Sequence, residues 1–579
     1  MKRIFNIYKK SVLVVAILFG SLMTSCTDYL TIIPPEKIVH EKFWQTEDEV
    51  NGMLATTYIK LISGDAISRA IVWGELRADN MTFPANPNKD IKYIVESNIL
   101  DENGYTNWAI FYEAINYANL VIEYAPQVVE RDPDFTEGDL NVVLGEMHAM
   151  RALCHFYLVR AFRDIPLAIV PAANDAELPD YPQAHPLEAM KQILADIDYA
   201  AAPGMIMESG SFTNRNSNFG RITRNAVLAL KADVCLWLAA FAEYYENDPE
   251  AIKEGLVQNG DVQNYYNMCI ESCDKVIENM HQNWLKENEG RTDLEQEMIN
   301  NPYHLLMNEG KVEDIKKSKQ STVYNAIFGA KNSKESIFEL QITDANARDD
   351  KYCWGIRTLY GAADNEAGQV IVPKNFLTMY QDDDLRKYSF TNFGADTKDD
   401  ISVSKYVAKD SPSTSLRKKN EYDANWIIYR KTDVLLMKAE ALAAQPSATS
   451  DDFKAAFELA KVVNVRSRID TISTNIKVPL SEPGDRKSCL KLVLDERARE
   501  LAYEGKRWFD LVRKALRDKN TMDILFVADK LTANKDLLKS KMSTIDGLFF
   551  PINIDEMRFN KNLEQNPAYL DKDSSVEMN

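Results

Sequence analysis

Met147-His148-Ala149-Met150-Arg151-Ala152-Leu153-Cys154-His155-Phe156-Tyr157-Leu158-Val159-Arg160-Ala161 carries the period that decides the fold. Met147, Met150, Cys154, Tyr157, Leu158 and Ala161 fall three or four residues apart, so they share one face of a helix. Val227, Leu230, Val234, Trp237, Leu238 and Phe241 repeat the same offsets further along the chain. Ala149, Ala152, Ala226, Ala229 and Ala232 sit among them, small enough to let neighbouring helices approach closely. Working outward, amphipathic stretches run through Asn107–Tyr124, Leu187–Ala200, Tyr265–Met280, Ile427–Ala444, Phe453–Ser467 and Cys489–Tyr503. Helix pairs of this kind stack into solenoids, although no strict repeat period is legible. The expected fold is mainly α, with a few short β-hairpins; Ser336–Ile342 and Leu548–Ile554 read as two of them.

Between residues 310 and 425 the helical pattern thins, and Gly, Asn, Asp and Ser cluster around isolated aromatics. That reads as a loop-rich lobe inserted into a helical scaffold, and long ordered loops on a rigid framework are where binding residues collect. The expected organisation is a signal peptide over 1–25, scaffold over 26–309, the lobe over 310–425 and closing helices over 426–579. The net charge of −19 argues against nucleic acid, whose binding rests on Lys and Arg neutralising phosphates. Cys154, Cys235, Cys269, Cys273, Cys353 and Cys489 show no disulfide-framework spacing. Cys269 and Cys273 are one helical turn apart but lack a second Cys or His pair with zinc-site spacing, so core packing is expected.

The amino end sets the compartment. Lys2, Arg3, Lys9 and Lys10 precede a nearly unbroken apolar run from Ser11 to Met23, which is the pattern of a cleaved secretory signal. Met23-Thr24-Ser25-Cys26 resembles a lipobox, with Cys26 as the expected site of lipidation and Met23 standing where leucine is commoner. No later run reads as long and apolar enough to span a bilayer.

Motifs spread from Cys26 to Tyr569 resemble the SusD/RagB family of outer-membrane nutrient-binding lipoproteins. They begin with Cys26-Thr27-Asp28-Tyr29-Leu30, Phe43-Trp44-Gln45-Thr46 and the set Trp108, Tyr112, Ile115, Asn119 and Ile122. Arg151-Ala152 through Asp164-Ile165-Pro166-Leu167 and Gly220-Arg221-Ile222-Thr223 follow. The strongest match is Glu496-Arg497-Ala498-Arg499-Glu500-Leu501 with Glu504-Gly505-Lys506-Arg507-Trp508-Phe509-Asp510-Leu511 and Arg513. Gln565-Asn566-Pro567-Ala568-Tyr569 closes the series, with Ala568 where glycine is usual. The resemblance implies a tetratricopeptide-like helical solenoid on the cell surface, anchored in the outer membrane by its N-terminal lipid. It also implies a glycan ligand and a SusC-like TonB-dependent transporter as partner. Neither enzyme activity nor a cofactor is implied.

Physically, the signature near the C-terminal end reads as scaffold. Asp495 and Arg499 are four apart and Glu504 and Arg507 three apart, so local pairing along a helix is expected. Gly505 supplies a permissive backbone where one helix ends and another begins. Ligand contacts are expected instead in irregular stretches, because a sugar stacks its C–H face on Trp or Tyr and offers its hydroxyls to polar groups. Tyr352, Trp354 and Tyr360 with Arg357, Asp364 and Asn365 form the best local candidate, read as a loop. By region, the resemblance adds Trp73, Asp79, Asn80, Tyr93, Asn98 and Tyr105. Gln381-Asp382-Asp383-Asp384 lacks calcium-loop spacing and reads as a solvated acidic turn. Two other classes stay open: a surface solenoid binding peptide or another non-glycan nutrient, and a glycoside hydrolase, which needs two carboxylates flanking the scissile bond.

Overall fold

A computed structural model describes residues 43–172, 180–209, 220–309, 311–318, 321–342, 350–362, 366–392, 401–407, 416–469 and 482–570. The segment expected to be a signal peptide and Cys26 lie outside them. The scaffold is a succession of helices: α1 (Glu47–Ile62), α2 (Gly64–Ile71), α3 (Lys89–Val95), α4 (Ala109–Tyr124), α5 (Glu137–Phe162), α6 (Pro186–Ala201), α7 (Arg224–Tyr245) and α8 (Asp261–Glu287). After the lobe, which contains α9 (Asp350–Tyr360), come α10 (Lys431–Ala444), α11 (Ser450–Arg466), α12 (Arg486–Glu500) and α13 (Arg507–Asp518). From α4 to α8 each helix packs on the next; α8 then meets α10, which packs on α11 and α12. This is the tetratricopeptide-like stack.

Sequence explains the boundaries. Thr136 starts α5 with a capping box, its hydroxyl accepting from the Asp139 N–H while the Asp139 carboxylate accepts from the Thr136 N–H. Pro186 occupies the first turn of α6, where its missing N–H costs nothing. Both stripes read from the sequence are buried, as are most other residues of α5 and α7. By length and composition Arg224–Tyr245 is apolar enough to cross a bilayer, contrary to the sequence reading. Most of it is buried among neighbouring helices, with Lys231 reaching the surface to pair with Asp198, the mark of a core helix. Cys269 and Cys273 are free thiols buried in α8, in line with the core-packing expectation.

Several recurring motifs are polar clasps between helices. Arg151 on α5 donates to both oxygens of Asp196 on α6 at 2.6 and 2.8 Å and to Asn119 on α4 at 2.8 Å. Tyr58 donates to Glu146 and accepts from the Ile222 N–H, both at 2.9 Å, while Arg221 pairs with Glu146. The second clasp fixes the entrance to α7.

The lobe departs from expectation in instructive ways. Ser336–Leu340 (β1) does not form a local hairpin; it pairs antiparallel with Trp426–Arg430 (β2), so the first part of the Ile427–Ala444 stretch is strand and only the rest is helix. Leu548–Ile554 is no hairpin either. Leu548, Phe549, Phe550 and Ile552 are buried, but the segment runs from a 3₁₀ turn through irregular chain into the helix Ile554–Phe559. The acidic turn is not solvated at Asp384, which is buried and accepts two bonds from the buried Arg386 guanidinium at 2.7 and 2.9 Å.

The signature stretch folds as the hub of a buried ion network. Glu500 receives Arg386 at 3.1 Å, Arg430 at 2.7 Å, Arg466 at 2.5 Å and the Tyr324 hydroxyl at 3.0 Å. Glu496 takes Arg386, Arg499 and Asn464, and Glu504 takes Arg430 and Lys405. The expected pairs do not form: Asp495 and Arg499 pair locally with other residues, Lys491 and Glu496, while Arg507 leaves its helix for Asp79 at 2.9 Å. These burials push in opposite directions. Desolvation raises the Glu500 carboxyl, but the facing guanidiniums win and hold it well below its usual range.

Gly505, at φ +70°, turns the chain between α12 and α13 as expected. The Tyr503, Lys506 and Arg507 N–H groups converge on the Glu75 carboxylate at 2.5, 2.8 and 3.3 Å. Glu75 lies on a π-helical turn, Val72–Leu76, docked so closely that a Cβ on Gly74 would stand 1.8 Å from the Gly505 carbonyl oxygen. Desolvation dominates here and lifts the Glu75 pKa to about 7 despite the N–H donors.

Candidate ligand-binding face

The stretch expected as a loop platform is helical. In α9, Gly355 packs face to face with α2; a Cβ there would meet the Gly64 carbonyl oxygen at 2.6 Å. Glycine therefore marks a close helix crossing, which a single sequence does not distinguish from a loop. Tyr360 is buried and donates its hydroxyl to the Tyr503 carbonyl at 3.0 Å, and Arg357 is buried and donates to the Lys419 carbonyl at 3.0 Å. Both hold the scaffold together. Trp354 is the part-exposed member, its indole lying against Gly64. The side chain of Tyr352 and the whole of Asp364 and Asn365 lie outside the described residues.

The earlier stretch divides similarly. Trp73 and Asn80 are fully buried, against expectation. Trp73 packs on Phe111 and Phe162 and donates its indole N–H to the Tyr105 carbonyl at 2.8 Å; Asn80 donates to Glu75. Tyr93, Asn98 and Tyr105 are half-buried. Asp79 is spoken for by Arg507 and borders a separate cleft.

What gathers these aromatics is the N-terminal end of α2. Asp65, beside the glycine under Trp354, pairs with Arg69 at 2.9 Å. Arg69 reaches on to the Asn107 carbonyl at 2.6 Å and the Gly104 carbonyl at 3.0 Å, which flank Tyr105. From the other side, Asp90 on α3 accepts the Gly104 N–H at 3.1 Å, and Tyr93 sits one turn along the same helix. Burial pushes the Tyr105 hydroxyl up to about 12, so it stays a hydrogen-bond donor at any ordinary pH. Asp65, Arg69 and Asp90 thus link the segment carrying the half-buried Tyr105 to the start of α2, on which Trp354 lies, and to the helix that carries Tyr93. The three polar residues were missed in the sequence; the i, i+4 spacing of Asp65 and Arg69 was their visible trace.

A tetratricopeptide-like stack that carries an irregular segment between α8 and α10 defines a helical scaffold protein. Comparison places it more closely. A model of the SusD family matches residues 253–569, and a second, described as "Starch-binding associating with outer membrane", matches 28–236. The chain belongs to the SusD family. It is 24% identical over 523 residues to a SusD-like protein of Formosa agariphila, covering 89% of this chain and 92% of that one. Its fold matches a SusD homolog from Bacteroides thetaiotaomicron at a TM-score of 0.63 and 18% identity, over 92% of this chain and 99% of the other. A SusD superfamily protein from Parabacteroides distasonis matches at 0.60 and 22%, over 90% and 99%.

Proposed function

We propose that this chain is a cell-surface lipoprotein, tethered to the outer membrane through Cys26, that binds glycan without cleaving it and passes it to a SusC-like TonB-dependent transporter. Membership of the SusD family supports a general role in glycan binding and uptake. The observation that carries the reading is the gathering of part-exposed Tyr93, Tyr105 and Trp354 beside Asp65, Arg69 and Asp90. Aromatic faces suit the C–H side of a pyranose, and the carboxylates and guanidinium suit its hydroxyl rim. The face is shallow, so few side chains reach any one sugar and affinity for the isolated protein is weak. Confinement at the membrane offsets this by raising the effective concentration.

A polysaccharide and peptide panel with the purified protein tests the reading. Trp354→Ala and Tyr105→Ala, each folded by circular dichroism, are expected to weaken glycan binding about tenfold. Unchanged binding in both, preference for peptides, or reducing ends accumulating with time would overturn it. Globomycin-sensitive processing and radiolabelled palmitate on Cys26 test the tether.

A further inference from the structure

We infer that the cleft between α12, α13 and the 3₁₀ turn Met522–Lys530 is a second binding site, for a neutral oligosaccharide segment. The inference rests on the glycan-binding role proposed above but concerns a different surface. The cleft has a volume of about 1060 Å³, at the upper end of the ~300–1,000 Å³ typical of ligand pockets.

Its chemistry narrows the occupant. One long face of α12 supplies Lys487, Leu490, Lys491 and Leu494 at helical spacing, so an apolar strip runs between charged side chains. Phe376 and Met379 extend that strip, and Phe526 stands at the rim, 40% exposed. Six acidic and six basic residues, Lys487 and Lys491 among them, line the cleft as a whole. They are largely matched to one another: Arg507 to Asp79 at 2.9 Å, Lys514 to Asp518 and Asp523 at 2.5 and 3.0 Å, and Lys491 to Asp495.

A ligand of one sign gains little from a wall that carries six charges of each sign, most of them already paired. An apolar ligand would strip water from a dozen charged groups, which is costly. A neutral sugar asks for neither. An ionised carboxylate has about four acceptor positions, so one already paired with a cation still takes hydroxyl protons. Phe526 and the leucine strip meet the ring faces. Asp529, exposed on the same turn, adds a further acceptor at the rim.

The full chain is titrated calorimetrically with maltoheptaose, laminarihexaose and xylohexaose, and amide hydrogen exchange is followed over 486–495 and 522–530 with each sugar. At least one sugar is expected to bind at two sites per chain and to slow exchange in both segments. Phe526→Ala and Asp529→Asn alter exposed side chains and leave the melting curve in place; each is expected to reduce the stoichiometry to one or weaken the second site at least fivefold. Trp354→Ala should weaken the other site about tenfold and leave exchange protection at the cleft. Two intact sites in both cleft variants, or no protection of either segment in the wild type, would overturn the inference alone. An unaffected Trp354→Ala beside a defective Phe526→Ala would overturn the aromatic face and keep the cleft. Binding of none of the three sugars overturns both.

Discussion

The helical stack and the junction of the lobe with α12 are both buried, yet they are held by opposite kinds of force. In the stack, apart from the clasps at Arg151 and Glu146, α5 and α7 meet their neighbours through Leu, Val, Ala, Phe and Trp, and dispersion and hydrophobic burial act without direction. At the junction, Arg386, Arg430, Arg466 and Lys405 come from the lobe and its flanks to meet Glu496, Glu500 and Glu504, each within hydrogen-bond range. The first arrangement tolerates any side chain of the right size and apolarity. The second tolerates almost no change, because each charge is neutral company for several others and none can reach water.

Four measurements break or sharpen the contrast. The largest effect is expected at Glu500→Gln, which leaves three guanidiniums without their shared anion and should cost about 3–5 kcal/mol in urea unfolding. A loss below that of an exposed pair would sink the idea that the junction depends on this carboxylate. Next comes Glu75. Its folded pKa of about 7 lies above the unfolded value near 4.5, so the fold binds the extra proton between those limits. Its stability contribution is therefore complete below pH 4.5 and lost as pH rises through 7, a fall on the order of 3 kcal/mol. In Glu75→Gln that slope should vanish from melts at pH 5 and 7.5, and an identical slope would refute the assignment.

Gly74→Ala comes third. The added methyl meets the Gly505 backbone at a contact that cannot be relieved by a rotamer, so about 1–3 kcal/mol should be lost. Full stability would show that the π-helical turn can withdraw freely. The smallest effect is expected in the stack, where Leu230→Met conserves volume and should cost under ~1.5 kcal/mol although Leu230 is fully buried. A loss as large as that at Glu500 would erase the distinction between the two regions.

The same contrast governs what was legible in the sequence. The stack was readable because its information is local: the stripes of α5 and α7 repeat every three to four residues, and both helices form where they point. The junction was not, since its partners are scattered. Glu504 and Arg507 looked like a helical pair three residues apart, but Lys405, Arg430 and Asp79 outcompete that pairing from positions far away in the chain. Trp426–Arg430 is apolar enough to continue a helix; its strand state comes from Ser336–Leu340, roughly ninety residues earlier, which no local pattern announces. Of the candidates, Trp354 was singled out by residue type and Tyr93 and Tyr105 by region, and all three are part-exposed, while Trp73, Asn80, Arg357 and Tyr360, singled out in the same two ways, turn out to be internal supports. Composition cannot separate a ring that meets solvent from one that props up its neighbour's carbonyl.

The antiparallel contact of β1 with β2 fastens the two ends of the intervening chain to each other. A tie of this kind makes the enclosed stretch insensitive to its own length, since doubling a flexible loop adds only ~0.6 kcal/mol of closure entropy. Length can therefore change between the strands at little entropic cost, provided that Tyr360, Arg386 and Lys405, which bind the same stretch to α12 and the turn after it, are kept.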